Sequence, residues 1–370
     1  MKKTLVALAV TAFAASASAV TIYENDGSKF EVDGRLHVVA QKNTTKKGSS
    51  ATEGHSSLAN DGSRVGFTAT HALNDDVSAF GRVELRFNDE NKSKLETDKK
   101  GNSVLVQSHE TGSAGWGGVR THHAYVGLTS KSLASQVTFG KQLLIGDDIG
   151  RIGLDNHYGV DSDLSAIDGQ TILTKESNSA VEYRFTGVKG LTLATNYSFA
   201  DTQDTIDSSK ADYGVGAVYG FDVAEGQKAS VSLGYSHTDF QHVTGSAKKD
   251  KDGVYGGVNF ENALLKVGVD GGRAVLKNTA GDKTNTTSFI RTGLKVKATD
   301  KIAVYGNYGY LTVKDEAGSK DKAHRFMLGT EYQVHKYVKT YVEGKFDRIT
   351  FSNGSKQKDK GIAAGLVVFW

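Results

Sequence analysis

The ten residues Lys29-Phe30-Glu31-Val32-Asp33-Gly34-Arg35-Leu36-His37-Val38 decide the fold of this chain. Side chains alternate across a strand, so Phe30, Val32, Gly34, Leu36 and Val38 share one face, and Glu31, Asp33, Arg35 and His37 share the other. The C-terminal stretch repeats the pattern, with Ile362, Ala364, Leu366, Val368 and Trp370 on one face. In water such an apolar face is buried as a core. In a barrel of many strands it points outward to lipid, and the charged face lines a lumen wide enough for water.

Outward from these two strands, one unit recurs: a period-2 stretch closed by a polar or glycine-rich break. Sixteen such strands are read, at 29–41, 62–73, 76–88, 118–130, 134–142, 177–186, 190–200, 210–222, 227–241, 251–261, 263–276, 285–298, 301–314, 321–334, 337–351 and 357–370. The breaks alternate in length. Short ones lie at 74–75, 130–133, 187–190, 222–226, 261–262, 298–301 and 335–336, and long polar ones at 43–61, 89–117, 143–176, 201–209, 242–250 and 277–284. Tight turns on one side and long loops on the other characterise an outer-membrane barrel whose chain ends are both periplasmic. The expected fold is therefore all-β, a 16-stranded antiparallel transmembrane β-barrel with long extracellular loops and short periplasmic turns.

Composition supports this. Residues 1–19, MKKTLVALAVTAFAASASA, combine Lys2 and Lys3, a short apolar run and the A-x-A spacing of Ala17 and Ala19. They predict a cleavable secretory signal cut after Ala19, leaving 20–370 as one barrel domain. The mean hydropathy is −0.38, as expected when lipid-facing and wet residues alternate and no hydropathy peak builds. There is no cysteine and no proline, and proline is costly where every backbone N–H must be bonded within a ladder. The 45 basic and 42 acidic residues nearly cancel, which excludes the basic excess of a nucleic-acid-binding protein. Adjacent residues on a regular strand face opposite ways, so His122 and His123 are expected not to share a metal, and no metal or cofactor is expected. Gly214, Gly216 and Gly220 mimic a nucleotide loop, but they lie within a strand and no helix start follows. The lysine-rich stretch 248–251 is read as surface facing lipopolysaccharide.

Several segments carry a family resemblance: VTIYENDGSKFEVDGRLHVVA at 20–40, GSRVGFTATHAL at 62–73, FGRVELRF at 80–87, AYVGL at 124–128, VTFGKQLLIGDDIG at 137–150, VYGNYGY at 304–310 and a terminal aromatic. Across essentially the whole mature length the chain resembles the Gram-negative trimeric general porins of the OmpC/OmpF/OmpH type, nearest to the major porins of the Haemophilus and Pasteurella group. The resemblance implies export to the outer membrane and a homotrimer of barrels set among outer-membrane lipid and lipopolysaccharide. Each barrel would pass ions and small hydrophilic solutes by passive diffusion and be pinched by a third loop, 143–176, folded into the lumen. It also implies that Trp370 stands where the family's terminal aromatic, usually Phe, is recognised by the barrel-assembly machinery. The third loop lacks the Pro-Glu-Phe-Gly-Gly stretch of the enterobacterial members, so its acids do not map onto theirs one by one.

A diffusion pore catalyses nothing; its working residues set the radius and the field at the narrowest point. Strand alternation turns Arg35, Arg64, Arg82, Arg86, Arg120 and His122 toward the lumen together with Glu84, and Lys141 stands at the entry to the long loop. Arg64 resembles the family's pore-wall arginine after the second-strand turn. Opposite this basic arc the candidate constriction acids are Asp147, Asp148, Asp155, Asp161, Asp163 and Asp168. Basic wall against acidic loop gives a field transverse to the pore. The competing reading makes each arginine a wall charge paired with a neighbour such as Glu84, and each aspartate a solvated loop residue or a helix N-cap. Three other functions would leave different marks on the sequence. A substrate-specific channel would show an aromatic track or a single-sign lining, whereas the wall here mixes signs. A barrel enzyme needs a His paired with Ser or Asp at one rim, and no such pair stands out. A secreted adhesin does not require alternating loop lengths.

Overall fold

A computed structural model describes residues 19–47, 50–53, 56–88, 92–97, 103–108, 118–150, 152, 154–159, 171–200, 209–240, 249–278 and 283–370. Almost all of the secondary structure is strand. In chain order it runs β1 (Val20–Asn25), β2 (Ser28–Lys47), β3 (Ser50–Glu53), β4 (Ser57–Asn60), β5 (Arg64–Ala72), β6 (Val77–Asn88), β7 (Lys92–Thr97), β8 (Ser103–Ser108), β9 (Gly118–Ser130) and β10 (Ser135–Leu143). One helical turn, α1 (Ile145–Asp148), is followed by β11 (Glu176–Phe185), β12 (Leu191–Phe199), β13 (Ser209–Ala224), β14 (Gln227–Phe240), β15 (Lys249–Glu261) and β16 (Leu265–Asn278). The chain ends with β17 (Lys283–Lys297), β18 (Ile302–Asp315), β19 (Lys320–His335), β20 (Val338–Thr350) and β21 (Lys356–Phe369).

Sixteen of these, β2, β5, β6 and β9 through β21, pair antiparallel with their neighbours, and β2 closes the barrel on β21 from Arg35↔Phe369 to Lys47↔Gln357. The expected 16-stranded barrel is the observed one. Closure leaves no edge, which is the condition for a sheet to cross lipid. The alternation holds too: Leu36, Ile362 and Leu366 are exposed on the outside, whereas His37, Val39, Ala363 and Val367 are buried on the inside. Outward aromatics meet in pairs, Tyr197 edge-on to Phe199 near one rim and Tyr219 stacked on Phe221 near the other, as interfacial girdles do.

The turns on the side of the chain ends are tight for local reasons. Asn74 Oδ1 accepts the N–H groups of Asp76 and Val77 (2.9 and 2.7 Å), and Asn262 Oδ1 accepts those of Leu264 and Leu265 (both 2.9 Å). An asparagine side chain thus closes each turn in place of backbone. On the opposite side the last two connections, 316–319 and 351–355, are short and turn through Gly318 and Gly354 at positive φ. The length alternation therefore fades there.

Four features were not read from the sequence. β1 pairs with β2 through a turn at Asp26-Gly27, both at positive φ (48° and 75°), the geometry of a two-residue hairpin. Val20 stands opposite Val32, while Trp370 and Gly34 exchange both backbone hydrogen bonds (3.1 Å each). β1 therefore continues the line of β21, and the indole of Trp370 covers Gly34, where a Cβ would meet Trp370 Cζ2 at 2.5 Å. β2 also runs six residues beyond the expected 41 and carries β3 and β4 on its far end, and β7 and β8 form a separate hairpin. Residues 1–18 of the expected signal peptide 1–19, and the candidate acids Asp161, Asp163 and Asp168, lie outside the described residues.

Candidate functional site

After β10 the chain leaves the wall and crosses the interior. Each step of the crossing is fastened to a lumen-facing side chain. Ile145 N–H donates to Glu182 Oε2 (2.6 Å), and Gly150 N–H to Ser232 Oγ (3.0 Å). Ile152 N–H reaches Asp270 Oδ2 at 3.3 Å. Asn156, His157 and Tyr158 then present successive N–H groups to the two oxygens of Glu343 (2.6, 3.0 and 2.8 Å). From β11 to β20 the loop follows the inner wall and reaches β2, where Tyr158 OH donates to Asn43 Oδ1 (2.9 Å) and the His157 ring lies 3.0 Å from Gln41 Oε1. The returning arm is held the same way: Lys251 Nζ donates to Thr171 O (3.0 Å), and Thr174 Oγ1 to Asp212 Oδ2 (2.5 Å).

Apolar packing matches this hydrogen bonding. Ile145, Ile149, Ile152, Leu154, Ile172 and Leu173 are buried, and the wall beneath them is bare because glycines occupy its inward positions. A Cβ on Gly216 would meet Ile145 Cγ1 at 2.6 Å, and one on Gly268 would meet Ile152 Cδ1 at 2.6 Å. One on Gly253 would collide with the carbonyl oxygen of Ile172. Strand glycines of this kind mark a close approach of another backbone. The lumen thus contains a small hydrophobic core between loop and wall.

Across from it, β2, β5, β6 and β9 carry the arginines. Register sets Arg35 opposite Arg64, Arg64 opposite Arg86 and Arg86 opposite Arg120, one row over four adjacent strands. Arg35 Nε donates to Gly62 O (3.1 Å). Glu84 is the common counter-ion, with Arg86 Nε at 2.7 Å, Arg82 Nη2 at 3.2 Å and Arg64 Nη1 at 3.9 Å. Arg82 is mainly bound elsewhere, in a two-pronged pair with Asp33 (2.6 and 3.0 Å). Arg120 is exposed. Loop and basic wall meet where His157 Nδ1 lies 2.8 Å from Asp61 Oδ2. Burial alone would raise the Asp61 carboxyl, but the His157 hydrogen bond and the nearby His37 and Arg35 charges hold it below its ordinary value. Burial and the Glu343 charge push the Tyr158 phenol up to about 12.

Two placements differ from expectation. Lys141 stands opposite Ala124, two residues along from the Phe139–Val126 pair, so it shares the outward face of Phe139 and Val126, both exposed. The bulge at Gly140–Gln142 on the β11 side does not alter its register with β9, and its charge leaves the lumen row. His122 and His123 do not point to opposite faces. The β6–β9 register jumps from Glu84↔His123 to Leu85↔Thr121, and this bulge inserts His122 so that both rings lie inside, their centroids 4.1 Å apart.

Among the loop acids, Asp148 is buried against Arg184 (2.8 Å) and serves as a wall tether. Asp147 and Asp155 are half-buried along the crossing segment. The residues that do most of the fastening, Glu182, Arg184, Asp270 and Glu343, were not singled out from the sequence. Their signal was present: each is a charge flanked by apolar or small residues within a strand, as in Val181-Glu182-Tyr183-Arg184-Phe185 and Val342-Glu343-Gly344.

The profile of the family described as Gram-negative porin matches residues 4–352. The chain is 31% identical, over its whole length and 99% of the relative's, to a protein named Major outer membrane protein from Pasteurella multocida. Among solved structures it is similar to an anion-selective porin from Comamonas acidovorans (TM-score 0.65, 16% identity, 93% of this chain and 100% of that one). It is also similar to OmpT, an outer membrane protein of Vibrio cholerae, in a trimer form (TM-score 0.61, 17% identity, 93% and 100%). At these identities the likeness to the solved structures is one of fold.

Proposed function

Since this chain belongs to the Gram-negative porin family and spans the outer membrane as a multi-pass barrel, we propose that the gap between its fastened third loop and its arginine row is the aperture that governs passage. The protein is a porin, a water-filled channel for passive diffusion of ions and small hydrophilic solutes. The observation that carries the aperture reading is the crossing loop itself, tied from Glu182 round to Glu343 and then to Asp61, facing the row Arg35, Arg64, Arg86 and Arg120. Around Glu84 five guanidinium groups stand against the carboxylates of Glu84, Asp33 and Asp61. That excess favours anions at low salt and is screened at high salt.

On this reading Asp147 and Asp155 set the acidic edge of the aperture, with Asp161, Asp163 and Asp168 as further candidates. His122 lies on the same wall, buried beside Glu84. Cleavage after Ala19 releases the chain for export, Trp370 is the assembly signal, and three copies pack side by side among lipid and lipopolysaccharide. Nothing in the lumen is asked to catalyse.

Planar-bilayer recording of purified folded protein in asymmetric salt tests the reading. Triplet conductance steps with a weak, salt-dependent anion preference are expected. Absence of conductance would sink the aperture reading, and a strong cation preference would remove the arginine row from it.

A further inference from the structure

We propose that Glu84, His122 and His123 form a transition-metal site in the lumen wall. The bulge in β9 is what creates it. On a regular strand the two imidazoles would lie on opposite faces, whereas here one donor atom from each of the three residues lies within 4.8 Å of the other two. All three side chains are buried (3%, 7% and 6% exposed). The rings are tilted 55° to one another, so they converge without stacking. His123 Nε2 is 4.0 Å from Glu84 Oε1, and His123 Nδ1 has no hydrogen-bond partner. A buried ring nitrogen left unpaired is costly unless something binds it or its ring partner.

Two imidazoles and one carboxylate make the three-ligand set that zinc, copper(II) and nickel(II) accept, with a fourth position left to water or an anion. Calcium and magnesium, which require oxygen ligands, do not suit it. Arg86, Arg82 and Arg64 compete for the Glu84 carboxylate at 2.7, 3.2 and 3.9 Å, and their charges repel a dication. Two consequences follow from that competition. Screening should strengthen metal binding as inert salt is raised, opposite to the effect for an ordinary surface cation site. The fourth ligand should be an anion, whose charge the guanidiniums favour. A metal held here withdraws Glu84 from the arginines at the level of the aperture and so alters the current.

The test adds zinc, nickel or copper(II) chloride to the wild-type protein in planar bilayers and follows conductance and reversal potential. A saturable change reversed by EDTA is expected. His122→Ala and His123→Ala should each raise the half-saturating concentration roughly tenfold or more, whereas His237→Ala, altering a histidine engaged by Asp252 on β14–β15, should leave it unchanged. Electron paramagnetic resonance of copper(II) bound to wild-type protein gives a readout that needs no variant, and two imidazole nitrogens are expected. Half-saturation should fall as sodium perchlorate is added. No metal response in the wild type, an undiminished response in both histidine variants, or a copper spectrum with fewer than two nitrogens would overturn the proposal.

Discussion

The two halves of the lumen wall use charge in opposite ways. On β11 to β20 the inward carboxylates Glu182, Asp270 and Glu343 are spent on backbone N–H groups of the crossing loop, and inward glycines let the loop lie flat. On β2 to β9 no loop covers the arginine row along the described residues, and its charges exceed their counter-ions. One half is a scaffold that positions a constriction, and the other is the surface that passing ions meet. Lumen-facing charge is therefore not by itself a sign of selectivity; what matters is whether the group is consumed by a backbone.

That contrast can be broken most severely at Glu343. Its replacement by alanine strands three loop N–H groups and the hydroxyl of Tyr305, which donates to it at 2.7 Å. Each unsatisfied group costs on the order of 1–3 kcal/mol, less where lumen water relieves it. The barrel, held by its ladders, should persist, while the loop tip detaches. The expected result is a larger and noisier single-channel conductance and a raised exclusion limit in liposome swelling; quiet channels of unchanged size would show that Glu343 does not hold the aperture.

A milder break wedges the loop from below. Gly216→Val sets a branched side chain where a Cβ already comes 2.6 Å from Ile145 Cγ1, and overpacking of this kind costs roughly 1–3 kcal/mol. A lower temperature for the heat-induced mobility shift on gels is expected, with a smaller change in conductance than for Glu343→Ala.

The arginine side sharpens the comparison with the smallest structural effects. Arg64→Gln and Arg120→Gln should shift the reversal potential toward cations with thermal stability nearly unchanged, because among the described residues Arg64 has only a long 3.9 Å pair with Glu84 and Arg120 is exposed. Arg82→Gln should behave as a scaffold change. It leaves Asp33, 14% exposed, without its two-pronged partner, and loss of such a partner costs up to about 3–5 kcal/mol. Equal selectivity shifts and equal stabilities for all three variants would erase the distinction drawn between field and tether.

Legibility in the sequence follows the range of each interaction. Which face of β2 or β21 looks outward is set within a few residues by alternation, and the tight turns are set by single asparagines such as Asn74 and Asn262. The placement of Asp148 was not legible, because its partner Arg184 lies 36 residues away and only the crossing of the loop joins them. Glu343 was overlooked for the same reason, since it meets Asn156 across 187 residues. His122 and Lys141 show a subtler limit, in that period-2 reasoning assumes an unbroken register.

By itself the sequence determined that the chain has sixteen amphipathic strands, an apolar exterior, connections that alternate in length over most of the chain and a long third loop, because each of these depends on local periodicity and on solvent outside or inside. Only the tertiary structure decided which charges fasten the loop and which face the pore, and that one extra residue in β9 turns two histidines toward the same glutamate. The physical reason is that hydrogen bonds and ion pairs are fixed by distance in space, and a closed barrel brings together residues that the chain holds far apart.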